Sequence, residues 1–239
     1  MNADATEAPR PRRHCAAGVC PAPTRTRKAA VSATHTISRR RDAGRSIETI
    51  TGPRSAWRFR PHYHAGDEIV RLTAGRARLR LAEGTRLVEA GETVVVPAGT
   101  VHRFEPVDDE GWAFTSEFAL PSDNVRDRLG PAVGQRLVAR AVDLLAHRAS
   151  LRSDAEELAS ECGVSAGHLA RTFQRATGTG LHNFHVLMVL QKAKALLRAG
   201  APLADTAFDA GFCDQAHLTR EFVRTYGFTP KAFRAAWSA

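Results

Sequence analysis

Residues 168–173 read His-Leu-Ala-Arg-Thr-Phe, and residues 217–222 read His-Leu-Thr-Arg-Glu-Phe. The register continues beyond them: Arg175 matches Arg224, Gly178 matches Gly227 and Phe184 matches Phe233. Upstream, Ala159-x-x-x-Gly163 matches Ala207-x-x-x-Gly211. Self-similarity of this length marks one supersecondary unit used twice. In the first copy Leu158 and Ala159 lie on a short helix that Ser153 can cap, with Glu156 closing a capping box. Gly163 then turns the chain and Ser165 caps a second helix. Leu169 and Phe173, four apart, share its buried face, which turns His168, Arg171, Thr172 and Arg175 outward. The second copy repeats the pattern with Ala207, the Gly211 turn, Asp214 as cap, and Leu218 and Phe222 buried. Its outward set is Gln215, His217, Thr219, Arg220 and Arg224.

Helix, glycine turn, helix is the helix-turn-helix shape. Between the copies, Leu181 to Arg198 holds no Gly or Pro, and Phe184, Leu187, Leu190 and Leu197 suit one connecting helix. Such a linker holds two recognition helices at a set separation, matching successive major grooves about 34 Å apart. Both copies keep an arginine at the same outward place, Arg171 and Arg220. Arginine to guanine is the commonest specific base contact, and phosphate contact is the alternative.

Before this repeat the period changes. From about Ser46 to Leu120 short apolar runs alternate with polar residues, as in Arg76 to Leu81, and are separated by Gly75, Glu83-Gly84, Ala90-Gly91 and Pro97-Ala98-Gly99. Short strands at regular spacing predict an antiparallel sandwich or small barrel with an interior. His62 and His64, two apart, project from one face of a strand. Glu68 follows after Gly66, and His102 follows the Pro97-Ala98-Gly99 turn. Three imidazoles and one carboxylate suit a divalent transition metal, zinc, iron, nickel or manganese, with room for a water or substrate.

The 239 residues allow two modest domains and a tail. Lys and Arg number 34 against 25 Asp and Glu, a formal charge of +9. The excess sits mostly in residues 1–45, which carry ten basic and three acidic residues and no apolar period. They read as a disordered basic tail, either an arm for nucleic-acid phosphates or a solvated extension. Next come a β domain over 46–120, a linker and coupling helix over 121–149, and the helical domain over 150–239. Four scattered cysteines make no disulfide framework. No apolar run approaches a membrane span and no signal peptide is evident, so a cytoplasmic location is expected.

Two families enter at this point. His62-x-His64, three residues, Glu68, six residues, Gly75, then Gly91, five residues, Pro97-x-Gly99, two residues, His102 resembles both cupin motifs. The resemblance implies His62, His64, Glu68 and His102 as metal ligands. The chain departs from the pattern at Ala56 and Pro106, neither a ligand position. Residues 131–239 resemble the DNA-binding domain of AraC/XylS regulators. That rests on Ser165-x-x-x-Leu169-x-Arg171-x-Phe173, Ala207-x-x-x-Gly211-Phe212, the run from Asp214 to Phe222, and Gly227-Phe228-Thr229-Pro230. By position it implicates Gly167, His168, Ala170 and Arg171, and Gln215, Ala216, His217, Thr219 and Arg220, in DNA contact. Three of these are small, so base reading leans on the second helix. Departures at Leu181, Val189 and Thr206 point to looser packing around the linker.

The expected architecture is therefore an N-terminal all-β cupin barrel or sandwich followed by an all-α double helix-turn-helix. The expected function is a transcription regulator that binds promoter DNA and senses a metal or small molecule in the cupin pocket. RNA polymerase and a second copy of the chain are further candidate partners, and no membrane is involved. Coupling would pass through a helix carrying Val133, Leu137, Ala141 and Leu144. A rival reading is a cupin metalloenzyme, dioxygenase or isomerase, with a DNA-binding appendage. The sequence offers no acid–base pair for it, because Glu105 and the Asp108-Asp109-Glu110 run read as loop charges. A third reading makes the cupin a dimerisation module only.

Overall fold

A computed structural model describes residues 34–42, 45–120, 136–148, 151 and 154–238. Seven strands come first: β1 Thr36–Asp42, β2 Arg45–Ser55, β3 Glu68–Leu81, β4 Gly84–Glu89, β5 Thr93–Val96, β6 Arg103–Pro106 and β7 Trp112–Leu120. They pair antiparallel in the order β1-β2-β7-β3-β4, with β5 and β6 also laid along β3. The first half of β3 pairs with β7 and β5, and its second half with β6 and β4. One long strand thus serves both sides of the domain.

An irregularity between Leu72 and Ala74 makes this possible. Before it the even positions Val70 and Leu72 are buried, and after it the odd positions Ala77 and Leu79. One extra residue has exchanged the two faces, as a bulge must. Gly75, at φ 72°, completes the bend, and a Cβ there would overlap the Gly111 carbonyl. Trp112, Phe114, Phe118, Phe59 and Phe104 fill the interior.

The basic stretch departs from the tail expectation. Residues 36–42 form a strand paired residue for residue with β2, from Thr36 opposite Thr51 to Asp42 opposite Arg45. Arginines do not prevent this, because an edge strand tolerates outward charge. Ile37 packs against the core, while the Arg39 guanidinium lies 4.2 Å over the Trp237 ring. Residues 1–33 lie outside the described residues.

The helices are α1 Arg136–Ala146, α2 Ala155–Glu161, α3 Ala166–Thr177, α4 Leu181–Arg198, α5 Leu203–Ala210, α6 Gln215–Tyr226 and α7 Pro230–Ser238. Ser165 accepts from the His168 amide and Asp214 from the His217 amide, so equivalent residues cap both recognition helices. Gly178 and Gly227 end them in the left-handed conformation at φ 72° and 77°. The cap of α2 is Asp154, whose carboxylate accepts from the Glu156 amide. Ser153, the expected cap, lies outside the described residues. Leu169, Phe173, Leu218 and Phe222 are buried, as is most of α4. Thr206 is fully buried with no partner for its hydroxyl, in keeping with the departure noted there.

The coupling helix is α1, and it turns a different face inward than expected. Val138, Ala141 and Leu145 are buried while Leu137 and Leu144 are half-buried, and the helix packs on α2, α3 and α4. It belongs to the helical domain. Val133 is outside the described residues.

Candidate metal centre and nucleic-acid interface

The two cupin-like motifs meet at a backbone bridge. His62 N donates to His102 O and His102 N to His62 O, both at 2.8 Å. This holds the segment before β3 against the one before β6 and sets the two imidazoles 4.5 Å apart. His64 and Glu68 complete a buried group whose ligand atoms, one per residue, all lie within 4.8 Å of one another. Glu68 Oε2 stands 2.8 Å from His102 Nε2 and 3.6 Å from His64 Nε2.

These residues fit a metal ion. His62 Nδ1 donates to Arg60 O at 2.7 Å and His102 Nδ1 to Thr100 O at 3.0 Å. Each bond fixes its ring and leaves Nε2 as the lone-pair atom facing inward, as outer hydrogen bonds do in metal centres. His64 Nδ1 and Nε2, Glu68 Oε2 and His102 Nε2 are buried without a hydrogen bond. Orphaned polar atoms on three neighbouring side chains would be costly in a core that held nothing. Burial, with His102 beside it, pushes His62 down to about 3, and burial with His62 beside it carries His64 well below the ordinary range. Burial would raise Glu68, but His102, His62 and Ser116 hold it below the usual carboxylate range. Metal bonds of about 2.0–2.1 Å would suit ligand atoms roughly 3.3–4.2 Å apart, a range that falls between the shortest separation here, 2.8 Å, and the widest, 4.8 Å.

The space left is small. The cavity measures about 10 Å³ and is walled by Phe59, Trp112, Phe114, Phe118 and Tyr226, about the volume one water-sized particle needs. Tyr226 comes from the last turn of α6, so the centre is closed by the second recognition helix. Its ring lies 6.3 Å from His62 and 6.2 Å from His64.

Around this wall the domains are fastened by polar contacts that the sequence reading did not single out. Glu48, 1% exposed on β2, takes Arg198 at 2.8 Å, Trp237 Nε1 at 2.8 Å and Lys194 at 3.5 Å. Burial lowers Lys194 to about 8 despite Glu48. Asn183 donates to Pro61 O and Gln191 to Tyr63 O, the carbonyls flanking His62. Arg60 pairs with Glu221 at 2.8 Å. Thr34 and His35 donate their amides to Gly227 O. Such signals were faint in the sequence: Lys194 and Gln191 stand among the apolar residues of a linker helix.

On the DNA side, His168, Ala170, Arg171 and Arg175 of α3 are exposed, and Thr172 is half-buried. In α6, Gln215, Ala216 and Arg220 are exposed, while His217 packs on Phe212 and Thr219 donates to Gln215 O. Arg224 is held by Glu221 at 2.9 Å. Glu105 is no loop charge: it lies on β6, 2% exposed, beneath Arg58, Arg80 and Arg103. Its burial would raise it, but those guanidiniums hold it below its ordinary range.

A β domain with an ion-sized, ligand-lined interior, joined to a doubled helix-turn-helix, defines a sensory domain coupled to a DNA-binding one. Comparison with known proteins agrees. A helix-turn-helix domain model matches residues 158–236, and an AraC-like ligand binding domain model matches residues 46–116. The chain belongs to the AraC-type DNA-binding transcription regulators. Among solved structures it resembles the C-terminal domain of AraT, a response regulator from Geobacillus stearothermophilus. The two share 22% identity over 42% of this chain and 85% of that one, with TM-score 0.40. An AraC-type regulator from Chromobacterium violaceum gives 22% identity over 43% and 92%, with TM-score 0.40. A cupin-like protein from Thermotoga maritima gives 19% over 31% and 56%, with TM-score 0.28. No curated protein matches. Among the described residues no helix is long and apolar enough to cross a membrane.

Proposed function

We propose that this regulator binds promoter DNA under the control of one divalent transition-metal ion held by His62, His64, Glu68 and His102. The observation that carries the reading is the buried cluster of His62, His64, Glu68 and His102, with ligand atoms within 4.8 Å of one another, beside a cavity of about 10 Å³ lined by the first three, and with orphaned polar atoms on His64, Glu68 and His102. Space for one ion- or water-sized group supports an ion as the effector. When bound, the ion would supply a common bond partner for the four side chains, three of which carry orphaned polar atoms.

The chain's own residues carry the signal outward. His62 and His64 sit on a segment whose carbonyls at Pro61 and Tyr63 are gripped by Asn183 and Gln191 of α4. Tyr226 places the end of α6 against the same imidazoles. An ion held by these four side chains would therefore bear on contacts made by the linker and by the second recognition helix. A ligand switches a protein only by favouring one arrangement over another, and here both arrangements share this wall. Arg171 and Arg220 then read or position DNA, in the cytoplasm, with RNA polymerase and a second copy as the remaining partners of this reading.

Elemental analysis of the full chain tests it. Wild-type protein incubated with zinc, iron, nickel or manganese and desalted should retain about one ion per chain. His62→Ala/His102→Ala should retain none. Operator DNA selected from a random library should then bind the loaded and chelator-stripped wild type with different affinity. No retained ion with any of the four metals would overturn the proposal.

A further inference from the structure

We infer that the cleft between the β domain and the first helix-turn-helix unit is a binding site for a small organic anion, beside the ion centre and sharing His102 with it as a wall. Arg76, Arg78 and Arg80 alternate on β3, and the end of this row meets a second arginine. Arg80 stands directly opposite Arg103 of β6, and Arg78 opposite Glu105. Like charges directly opposite in a sheet are destabilising, so the Arg80 and Arg103 pair opposes the strand pairing it sits in.

Glu105 holds the pair without neutralising it. Its buried carboxylate takes Arg80 Nε on one oxygen and Arg58 and Arg103 on the other, at 3.4 and 3.5 Å. Three guanidiniums share one negative charge, and their side chains stay 63%, 44% and 33% exposed for Arg58, Arg80 and Arg103. The carboxylate lies beneath and the unused N–H groups lie above it. Arg80 spends its Nε and Arg103 one Nη2 on Glu105, so each keeps further donors. A guanidinium fork matches the paired oxygens of a carboxylate or phosphate.

These donors open on a cleft of about 300 Å³, lined by Arg80, Arg103, Leu81 and Val101 from the β domain and by Gln174 and Thr179 from the helical one, with His102 of the ion centre also on its wall. That volume is at the lower end for small-molecule sites, which favour boundaries between domains. Arginines at one end, Leu81 and Val101 beside them and the Gln174 amide opposite select a carboxylate or phosphate on a compact, partly apolar body. Such a ligand touches β6 and the end of α3 together and so weights the docked arrangement.

Thermal unfolding of the full chain, titrated with isobutyrate and separately with inorganic phosphate against chloride at matched ionic strength, decides the matter. A saturable rise in Tm with one or both anions is expected, and which anion saturates first separates carboxylate from phosphate. Arg80→Gln/Arg103→Gln should weaken the effect at least tenfold, but it also strips partners from buried Glu105. Gln174→Glu, which leaves that network intact and puts a negative charge across the cleft, should do the same in a normally folded protein. The titration repeated on chelator-treated wild type should give the same saturation, which distinguishes anion binding in the cleft from ion binding at the centre. No saturable rise above chloride with either anion, or an equal rise in Gln174→Glu, would overturn the inference. So would arginine variants that change only the salt dependence of DNA binding, because the row would then be a phosphate contact for DNA.

Discussion

Replacing Glu48 by Gln removes the one negative charge beneath Lys194, Arg198 and Trp237. Removing one partner of a buried ion pair costs about 3–5 kcal/mol, because the other charge is left uncompensated. Glutamine keeps an acceptor for Trp237 Nε1 and Arg198, which places the loss near 3 kcal/mol at pH 7. Lys194 sets the pH dependence. Its amine is already lowered to about 8, and without Glu48 it sheds its proton more readily still. The penalty should therefore shrink as pH rises from 7 to 9. Glu48→Gln/Lys194→Met, which leaves Arg198 as the remaining charge of the group, should recover part of the stability and give a coupling of about 1–2 kcal/mol in a double-mutant cycle. The assay is urea unfolding followed by tryptophan fluorescence, with calorimetry beside it, since Trp237 reports the interface directly. One transition in the wild type should divide into two as the domains lose their fastening. A loss below 1 kcal/mol, or a coupling near zero, would refute the view that this carboxylate holds the domains together.

Arg220→Ala should weaken operator binding by about 1–3 kcal/mol if the arginine reads a base, with the salt slope unchanged; a slope reduced by about one identifies a phosphate contact instead. Thr206→Val removes a buried hydroxyl that has no partner, and should raise stability by about 1 kcal/mol in denaturant titration. His185 is lowered by burial to about 4 from 6.5, so the unfolded chain takes up its proton first. Stability present above pH 6.5 is lost as pH falls toward 4, by at most about 1.4 kcal/mol per pH unit, and His185→Leu should flatten that limb of the curve.

The helical domain was legible because its units are local. Caps, turn glycines and i, i+4 apolar pairs lie within a dozen residues of one another, and Ser165, Gly178, Asp214 and Gly227 adopt the conformations their types favour. The cluster of His62, His64, Glu68 and His102 was legible for a related reason: two-residue spacing brings His62 and His64 together, although on the segment between β2 and β3 and not on one of the seven strands, and the turn before His102 aims it back. What the sequence hid was pairing over distance. Glu48 meets Lys194 across 146 positions, and nothing near either residue announces the other. Tyr226 passes for one more core aromatic until its neighbours turn out to be imidazoles. β1 was concealed by composition, since its backbone bonds to β2 are indifferent to the arginines it carries. Glu105 was misread because a carboxylate beside an acidic turn resembles the turn, while its burial depends on arginines from three separate segments.

Gly178 and Gly227 are equivalent residues of the two repeats, and each faces the β domain. Ala82, in the turn after β3, lies beside the first, and the His35 ring covers the second so closely that a Cβ would overlap it. A body that touches both recognition helices at the same end works as a caliper on the distance between them. One base pair inserted between two half-sites moves them about 3.4 Å apart and turns them by about 34°. Held in this arrangement, the two helices would resist that change. The regulatory question on the DNA therefore becomes one of phasing: which half-site spacings the protein accepts, rather than whether it can grip DNA at all.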